Sequence, residues 1–101
     1  MLTNRMIKCV GAGLVSLDIL MRGYSDKQVS YKLGGTCGNV MAILSYMGWQ
    51  TYPIARLDST DYGKLLLDDM KNCNVHDDFV STVDGTTPVI VQRNIVDKYG
   101  N

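Results

Sequence analysis

One stretch, Gly34-Gly35-Thr36-Cys37-Gly38-Asn39, separates a strand-like run from a helix-like run and carries the most information in the sequence. Glycine adopts positive φ and lets the backbone approach a ligand closely. The first amides of a helix have no intrahelical acceptor, so they can bind a polar ligand. A glycine pair followed by Asn39 in the first helical turn therefore suits a ligand rich in hydroxyl groups. A plain hinge between loop and helix would give the same pattern.

The apolar pattern on both sides of this stretch predicts alternating strands and helices. Helices that alternate with core strands indicate a parallel α/β sheet with right-handed crossovers, and two of the strands are expected to form a small antiparallel pair. The expected strands are Met6–Val10, Leu14–Met21, Gln28–Leu33, Thr51–Leu57, Val75–Val80 and Val89–Val96, and the expected helices are Thr36–Met47 and Asp61–Cys73. Turns are expected at Gly23–Asp26, at Gly85–Pro88 and, as the opening of a hairpin, at Asp97–Asn101.

Each predicted helix has apolar residues at helical spacing, which indicates a face turned toward the core. Gly48 fits the end of the first helix, and the turn Asp58–Asp61 can cap the start of the second. The residues expected to face inward are Val40, Met41, Ile43, Leu44 and Met47 in the first helix, and Tyr62, Leu65, Leu66 and Met70 in the second.

Charge and cysteine content exclude several classes of function. Ten basic and ten acidic residues balance, which gives no reason to expect a nucleic-acid or membrane-surface partner. Three scattered cysteines and one histidine disfavour a disulfide framework or a zinc site, so we expect a reducing cytoplasm. The apolar Val10–Met21 follows Arg5 and Lys8 as in a secretion signal, but Asp18 and several small residues interrupt it. No run is long enough to span a membrane.

The order of four motifs resembles the N-terminal part of the PfkB-type, or ribokinase-type, carbohydrate kinases. The matching segments are Gly13–Asp18, Gly34–Asn39, Leu57–Gly63 and Thr86–Val89, with spacings that agree across nearly the whole chain. The resemblance implies a ribokinase-like, Rossmann-like three-layer α/β fold with a small β lid, of which residues 1–101 form only the N-terminal part of the sheet. The lid would come from residues 14–33 and part of 89–96.

The resemblance also implies roles for five residues. Asp18 and Asn39 would hold sugar hydroxyls, and Gly34 and Gly35 would let the helix start approach the sugar. Ser16 stands where the family often has asparagine. The chemistry agrees, because a carboxylate accepts two hydroxyl protons and an amide both donates and accepts. The turn 58–61 departs from the glycine-acidic turn of the family, although the glycine at 63 matches.

Complete members of the family transfer the γ-phosphate of ATP to a sugar hydroxyl with the help of Mg²⁺. Their catalytic base lies in a downstream GAGD-type motif, which does not occur before Asn101, and most of the ATP site is also downstream. We therefore expect no catalytic, cofactor-binding or metal-binding residue in this chain, no turnover of ATP by it alone, and a longer parent protein. The sequence does not distinguish ribose, fructose, a deoxygluconate or a nucleoside as the substrate.

Other interpretations remain open from the residues alone. A non-catalytic sugar-binding or self-assembling α/β module would form a homo-oligomer through its lid or its open sheet edges. A dinucleotide-dependent oxidoreductase is disfavoured, because Gly11-Ala12-Gly13 is followed by Ser16 in place of a third glycine and by a β arm in place of a helix. Cys37 is either a reactive thiol at a helix start or a small packing residue. His76 is expected in a surface loop.

Overall fold

Two three-stranded sheets and two helices form the part of the chain that the computed structural model describes, residues 7–23 and 29–95. The elements follow in the order β1 (Lys8–Ala12), β2 (Ser16–Arg22), β3 (Val29–Gly34), α1 (Gly35–Tyr46), β4 (Gln50–Leu57), α2 (Asp61–Asn72), β5 (Val80–Thr82) and β6 (Val89–Asn94).

The core sheet has the strand order β1-β4-β5, and its neighbouring strands are parallel. Cys9 pairs with Thr51, and Ala55 pairs with Val80. Each pair of neighbours in this sheet is joined through a helix, since α1 precedes β4 and α2 precedes β5. The alternation of strands and helices in the sequence therefore predicts the core sheet correctly.

The second sheet, which we call the lid, has the strand order β3-β2-β6. Strands β2 and β3 are antiparallel, whereas β6 runs parallel to β2. Leu17 in the central strand pairs with Leu33 on one side and with Val89 on the other. These three strands lie within residues 14–33 and 89–96, the segments that are expected from the sequence to form the lid. Val96, the hairpin expected at Asp97–Asn101, and residues 24–26 of the first expected turn lie outside the described residues.

One hydrophobic cluster joins the lid to the core. Leu17 of β2, Leu57 of β4 and Leu66 of α2 are all at most 1% exposed, and Met70 of α2 is fully buried beside them. Full burial of a leucine side chain contributes about 1.5–3 kcal/mol. The inner face of the lid is therefore part of the same core that holds the helices.

The first helix does not bury the apolar stripe that the sequence predicts. Val40, Ile43 and Met47 are 46%, 59% and 66% exposed, so the expectation that they face the core was wrong. α1 is apolar on most of its circumference, and spacing alone does not reveal which side packs. The residues that it buries are mostly small, because the helix lies close to its neighbours: Gly35, Cys37, Gly38 and Met41.

The second helix follows its predicted pattern more closely. Leu66 and Met70 are buried and Leu65 is half-buried, but Tyr62 is half exposed. The strand expected at Val75–Val80 was wrong, since β5 begins only at Val80. The amide of His76 donates to the carbonyl of Thr51 in the core sheet, and the amide of Val80 donates to the carbonyl of Asp77, which makes residues 77–80 a turn.

Gly35 starts α1 in a conformation that other residues rarely adopt. Its φ is +81°, and a Cβ added there would lie 2.6 Å from the carbonyl oxygen of Leu14. Gly48, just after the helix, also has positive φ, at +96°, but an added Cβ there would meet nothing within 4 Å. Gly35 therefore combines a backbone requirement with a packing requirement, and Gly48 has only the first.

We expect Gly35→Ala to destabilise the chain more than Gly48→Ala does. Positive φ alone costs an L residue about 1–2 kcal/mol, which Gly48→Ala measures. Gly35→Ala adds displacement of the 14–15 backbone, for a total of about 3 kcal/mol or more. Urea unfolding followed by circular dichroism compares the two variants. Equal losses of unfolding free energy would contradict the close approach of residues 14 and 35.

Candidate functional site

Asp18 lies in the central strand of the lid, on the face opposite the core. Its neighbours Leu17 and Ile19 are buried, and the alternation of a strand places the Asp18 carboxylate on the other side. The hydroxyl of Ser16, itself fully buried, donates to Asp18 Oδ1 at 2.8 Å. Since both residues share one face two positions apart, this hydrogen bond fixes the direction of the carboxylate.

Gly34 lies directly under that carboxylate. It pairs with Ser16 across the β2–β3 ladder, and a Cβ added to Gly34 would overlap the Asp18 carboxyl group. Any other residue at position 34 would displace the acid. The structure thus brings together three of the predicted site residues, Ser16, Asp18 and Gly34, and places Gly35 next to them.

The helix start beside this cluster is partly bonded to the protein itself. The amides of Cys37 and Gly38 donate to the carbonyl of Leu14 at 2.9 and 3.2 Å. These are two of the amides that the sequence suggests would be available to a ligand. Their bonds to Leu14 instead hold α1 against the chain that enters the lid.

Asn39 lies in the second turn of α1, and its side chain is exposed. It follows Gly35 by four positions, so the two lie on the same side of the helix. In the described part of the chain, no hydrogen bond joins Asn39 to Asp18 or Ser16. The amide is therefore accessible near the glycine pair without belonging to the Ser16–Asp18 cluster.

Cys37 is a packing residue. Its side chain is 7% exposed and belongs to the hydrophobic core. Burial, with a smaller contribution from Cys9, raises the pKa of the Cys37 thiol. A raised pKa keeps the sulfur protonated, which is the opposite of what a reactive cysteine at a helix start requires.

Asp69 was not predicted from the sequence, although it is buried and bonds to a lid strand. Its side chain is 6% exposed, and its Oδ2 accepts a hydrogen bond from the amide of Leu33 at 2.6 Å. Asp69 follows Leu65 and Leu66 at helical spacing, on the stripe that faces the core. A carboxylate on an apolar stripe was the signal that could have revealed it.

Asp58 forms a second link between core and lid. The Oδ2 atom of Asp58 accepts a hydrogen bond from the amide of Thr87 at 3.1 Å, and the Asp58 amide donates one to the Thr87 hydroxyl at 3.1 Å. The hydroxyl and amide of Thr60 both donate to Oδ1. These hydrogen bonds lower the pKa of Asp58 to about 2, and the bond from the Thr60 hydroxyl has the largest effect. The acid occupies the turn where the sequence departs from the family pattern.

A crevice of about 320 Å³ lies at the base of the lid and contains none of the predicted site residues. It is lined by Gly13, Leu14, Val15, Ile54, Ala55, Arg56 and Pro88. Among residues 7–23 and 29–95, no group of three or more histidine, cysteine or acidic side chains could hold a metal ion. Neither described helix is long and apolar enough to cross a membrane.

Solved structures with the same architecture are sugar kinases. A PfkB family carbohydrate kinase from Listeria grayi has a TM-score of 0.73 with 16% identity, covering 86% of this chain and 28% of its own. The chain has part of the ribokinase-like fold. The fructokinase of Halothermothrix orenii has a TM-score of 0.69 and 20% identity, with coverages of 87% and 34%. The 2-dehydro-3-deoxygluconokinase of Thermotoga maritima has a TM-score of 0.70 and 21% identity, and the match covers 82% of this chain and 27% of that structure.

This chain therefore spans about a third or less of the ribokinase-like structures that it matches, which agrees with the expected partial sheet. At these identities the likeness concerns the fold. No family model matches the chain, and no curated protein does.

The low pKa of Asp58 predicts an acid-dependent part of the stability. Because the folded pKa lies below the ordinary value of 3.8, the contribution of Asp58 is complete above about pH 4 and is lost as the pH falls toward 2. The difference in unfolding free energy between the wild type and Asp58→Asn should therefore shrink across that interval. Urea unfolding at a series of pH values measures it. A difference that stays constant from pH 5 to about 2 would contradict the hydrogen-bonded carboxylate.

Proposed function

We propose that this chain is the sugar-binding N-terminal part of an ATP-dependent carbohydrate kinase. The observation that carries the proposal is the contact of Ser16, Asp18 and Gly34, with the half-buried Asp18 on the face of the lid turned away from the hydrophobic cluster. The neighbours with this fold are named as kinases of fructose, of 2-dehydro-3-deoxygluconate and of carbohydrates in general.

The chemistry of the cluster supports the binding of hydroxyl groups. Ser16 occupies one lone pair of the Asp18 carboxylate, and an ionised carboxylate has about four acceptor positions, so it can still accept from two sugar hydroxyls. The absence of a side chain at Gly34 makes the room that the Asp18 carboxylate occupies, so the glycine holds the acceptor in place for a ligand. Asn39 would add a group that both donates and accepts.

Phosphoryl transfer belongs to the proposal for the complete protein. There, ATP would supply the phosphoryl group and Mg²⁺ would offset its charge. The described residues do not fit a site for either, since no acidic group clusters for a metal and no glycine-rich phosphate loop occurs. We therefore propose that this chain contributes sugar binding and lid closure, and that it does not release ADP by itself. A cytoplasmic location fits the free thiols of Cys9, Cys37 and Cys73.

A self-assembling module is the second candidate, and exposed apolar residues favour it. Val10 and Ile54, on the face of the core sheet turned away from α1, are 56% and 51% exposed. Parallel sheets in α/β proteins are normally covered on both faces. Ile43 and Met47 on the outside of α1 are also exposed. Such surfaces would bury themselves against a copy of the chain.

We expect the purified chain to bind a sugar through Asp18. Isothermal titration with D-fructose, D-ribose and 2-dehydro-3-deoxygluconate identifies the ligand. Asp18→Asn should weaken its binding by about 10–100-fold, because asparagine keeps one oxygen acceptor and loses one hydrogen bond to a charged acceptor, which contributes about 1.5–3 kcal/mol. The unfolding free energy should change little.

Asp68→Asn is the matched control, since Asp68 is an exposed acid on α2. It should bind the sugar as the wild type does. If Asp18→Asn binds as tightly as Asp68→Asn, the carboxylate does not contact the ligand.

The assembly candidate predicts a mass that depends on concentration. Sedimentation between about 1 and 100 µM should then show a dimer or larger species, which Ile54→Lys weakens through the charge it places on the open sheet face. Thr82→Lys, at an exposed position on the same sheet, is the control. A constant mass of 11.2 kDa over this range would exclude the assembly candidate.

A further inference from the structure

Two aspartates join core elements to the two outer strands of the lid. We propose that Asp58 and Asp69 are positioning residues, which set where the lid strand that carries Asp18 lies relative to the core. This inference rests on the proposed sugar-binding role of the lid. Each aspartate is hydrogen-bonded to a residue in or next to an outer strand of the lid, and it acts on Asp18 through that strand.

Asp69 holds the outer strand β3. In an antiparallel pair, amides alternate between the partner strand and the outside, so an outer strand leaves donors without a ladder partner. One such donor, the amide of Leu33, bonds to Asp69 Oδ2 at 2.6 Å in a buried position. Hydrogen bonds to an ionised acceptor are the stronger kind. α2 is thereby fastened to β3 one residue before Gly34.

Asp58 holds the other outer strand through Thr87. The two bonds between these residues run in opposite directions, from the Thr87 amide to the carboxylate and from the Asp58 amide to the hydroxyl. Thr87 is 5% exposed. The carbonyl of the next residue, Pro88, accepts a hydrogen bond from the amide of Leu17 at 2.8 Å. The end of β4 is thus linked to β2 through the entry to β6.

The central strand β2 lies between these two anchored strands. Hydrophobic contacts hold the lid on the core, but they have no preferred direction. Hydrogen bonds depend on both distance and angle, so they fix how far the lid is rotated and shifted. The position of Asp18 relative to Gly35 and Asn39 follows from both anchors, and loss of either should loosen the lid before it loosens the core sheet.

Amide hydrogen exchange, measured by NMR on the chain, tests this directly. We expect Asp69→Ala and Thr87→Val to speed the exchange of amides in β2, β3 and β6 by about tenfold, while amides of β1 and β4 stay within about twofold. Three variants are matched controls. Asp69→Asn retains an oxygen for the Leu33 amide, Thr87→Ser retains the hydroxyl, and Asp68→Asn alters a neighbouring exposed acid.

Equal acceleration in both sheets would overturn the proposal, because the aspartates would then stabilise the whole fold without positioning the lid. An unchanged lid would also overturn it. If Asp69→Ala does not fold, the pair Thr87→Val and Thr87→Ser carries the test at the other anchor, since valine has the shape of threonine.

Sugar affinity gives the second measurement. At a temperature where the variants are folded, we expect Thr87→Val to raise the Kd for D-fructose or D-ribose by about tenfold and Thr87→Ser to leave it near the wild-type value. An unchanged Kd in a chain with a loosened lid would overturn the positioning role. If no sugar binds the wild-type chain, the proposed function fails, whereas the exchange measurement still decides whether the aspartates position the lid.

Discussion

The lack of side chains at residues 34 and 35 is the constraint on which the rest of the structure depends. Asp18 occupies the space above Gly34, and the Leu14 carbonyl occupies the space next to Gly35. A lid strand, a helix start and the chain that enters the lid therefore meet within van der Waals contact. The amides of Cys37 and Gly38 then bond to the same carbonyl, which ties α1 to this junction.

The lid is coupled to the core by two kinds of interaction at once. Its inner face shares one apolar cluster with α2 and β4, through Leu17, Leu57 and Leu66. Its outer strands are bonded to the core through Leu33 and Thr87. The Asp18 carboxylate lies on the other face of the same strand, where it is half-buried. A ligand on that face would meet a surface whose orientation the opposite face determines.

The sequence predicted the parts that local patterns specify. Apolar alternation identified the lid strands, and the glycine pair located the junction of β3 and α1 to within one residue. What failed depended on tertiary context. The side of α1 that packs was invisible, because Val40 and Ile43 are as apolar as Met41. Val75–Val80 has strand-forming residues, but the amide of Val80 donates to the carbonyl of Asp77, and this local bond makes residues 77–80 a turn.

The same limit applies to the candidate site. The motifs single out Asp18 and Gly34 as candidates, and the contact between them follows from the β2–β3 register. The links of Asp69 to Leu33 and of Asp58 to Thr87 span 36 and 29 positions. No spacing rule relates residues so far apart, and only the folded chain brings them together.

The parallel pairing of β2 with β6 has a consequence for how the chain folds. Met21 and Arg93 are neighbours in the lid although they are 72 positions apart. During synthesis, β2 and β3 leave the ribosome long before β6, so β2 keeps one unpaired edge while the core elements are still being made. Long-range pairing of this kind slows folding and leaves strand edges open to other chains. The strand that carries Asp18 thus gains its β6 neighbour only after residues 89–94 emerge, and until then its edge can pair with other chains.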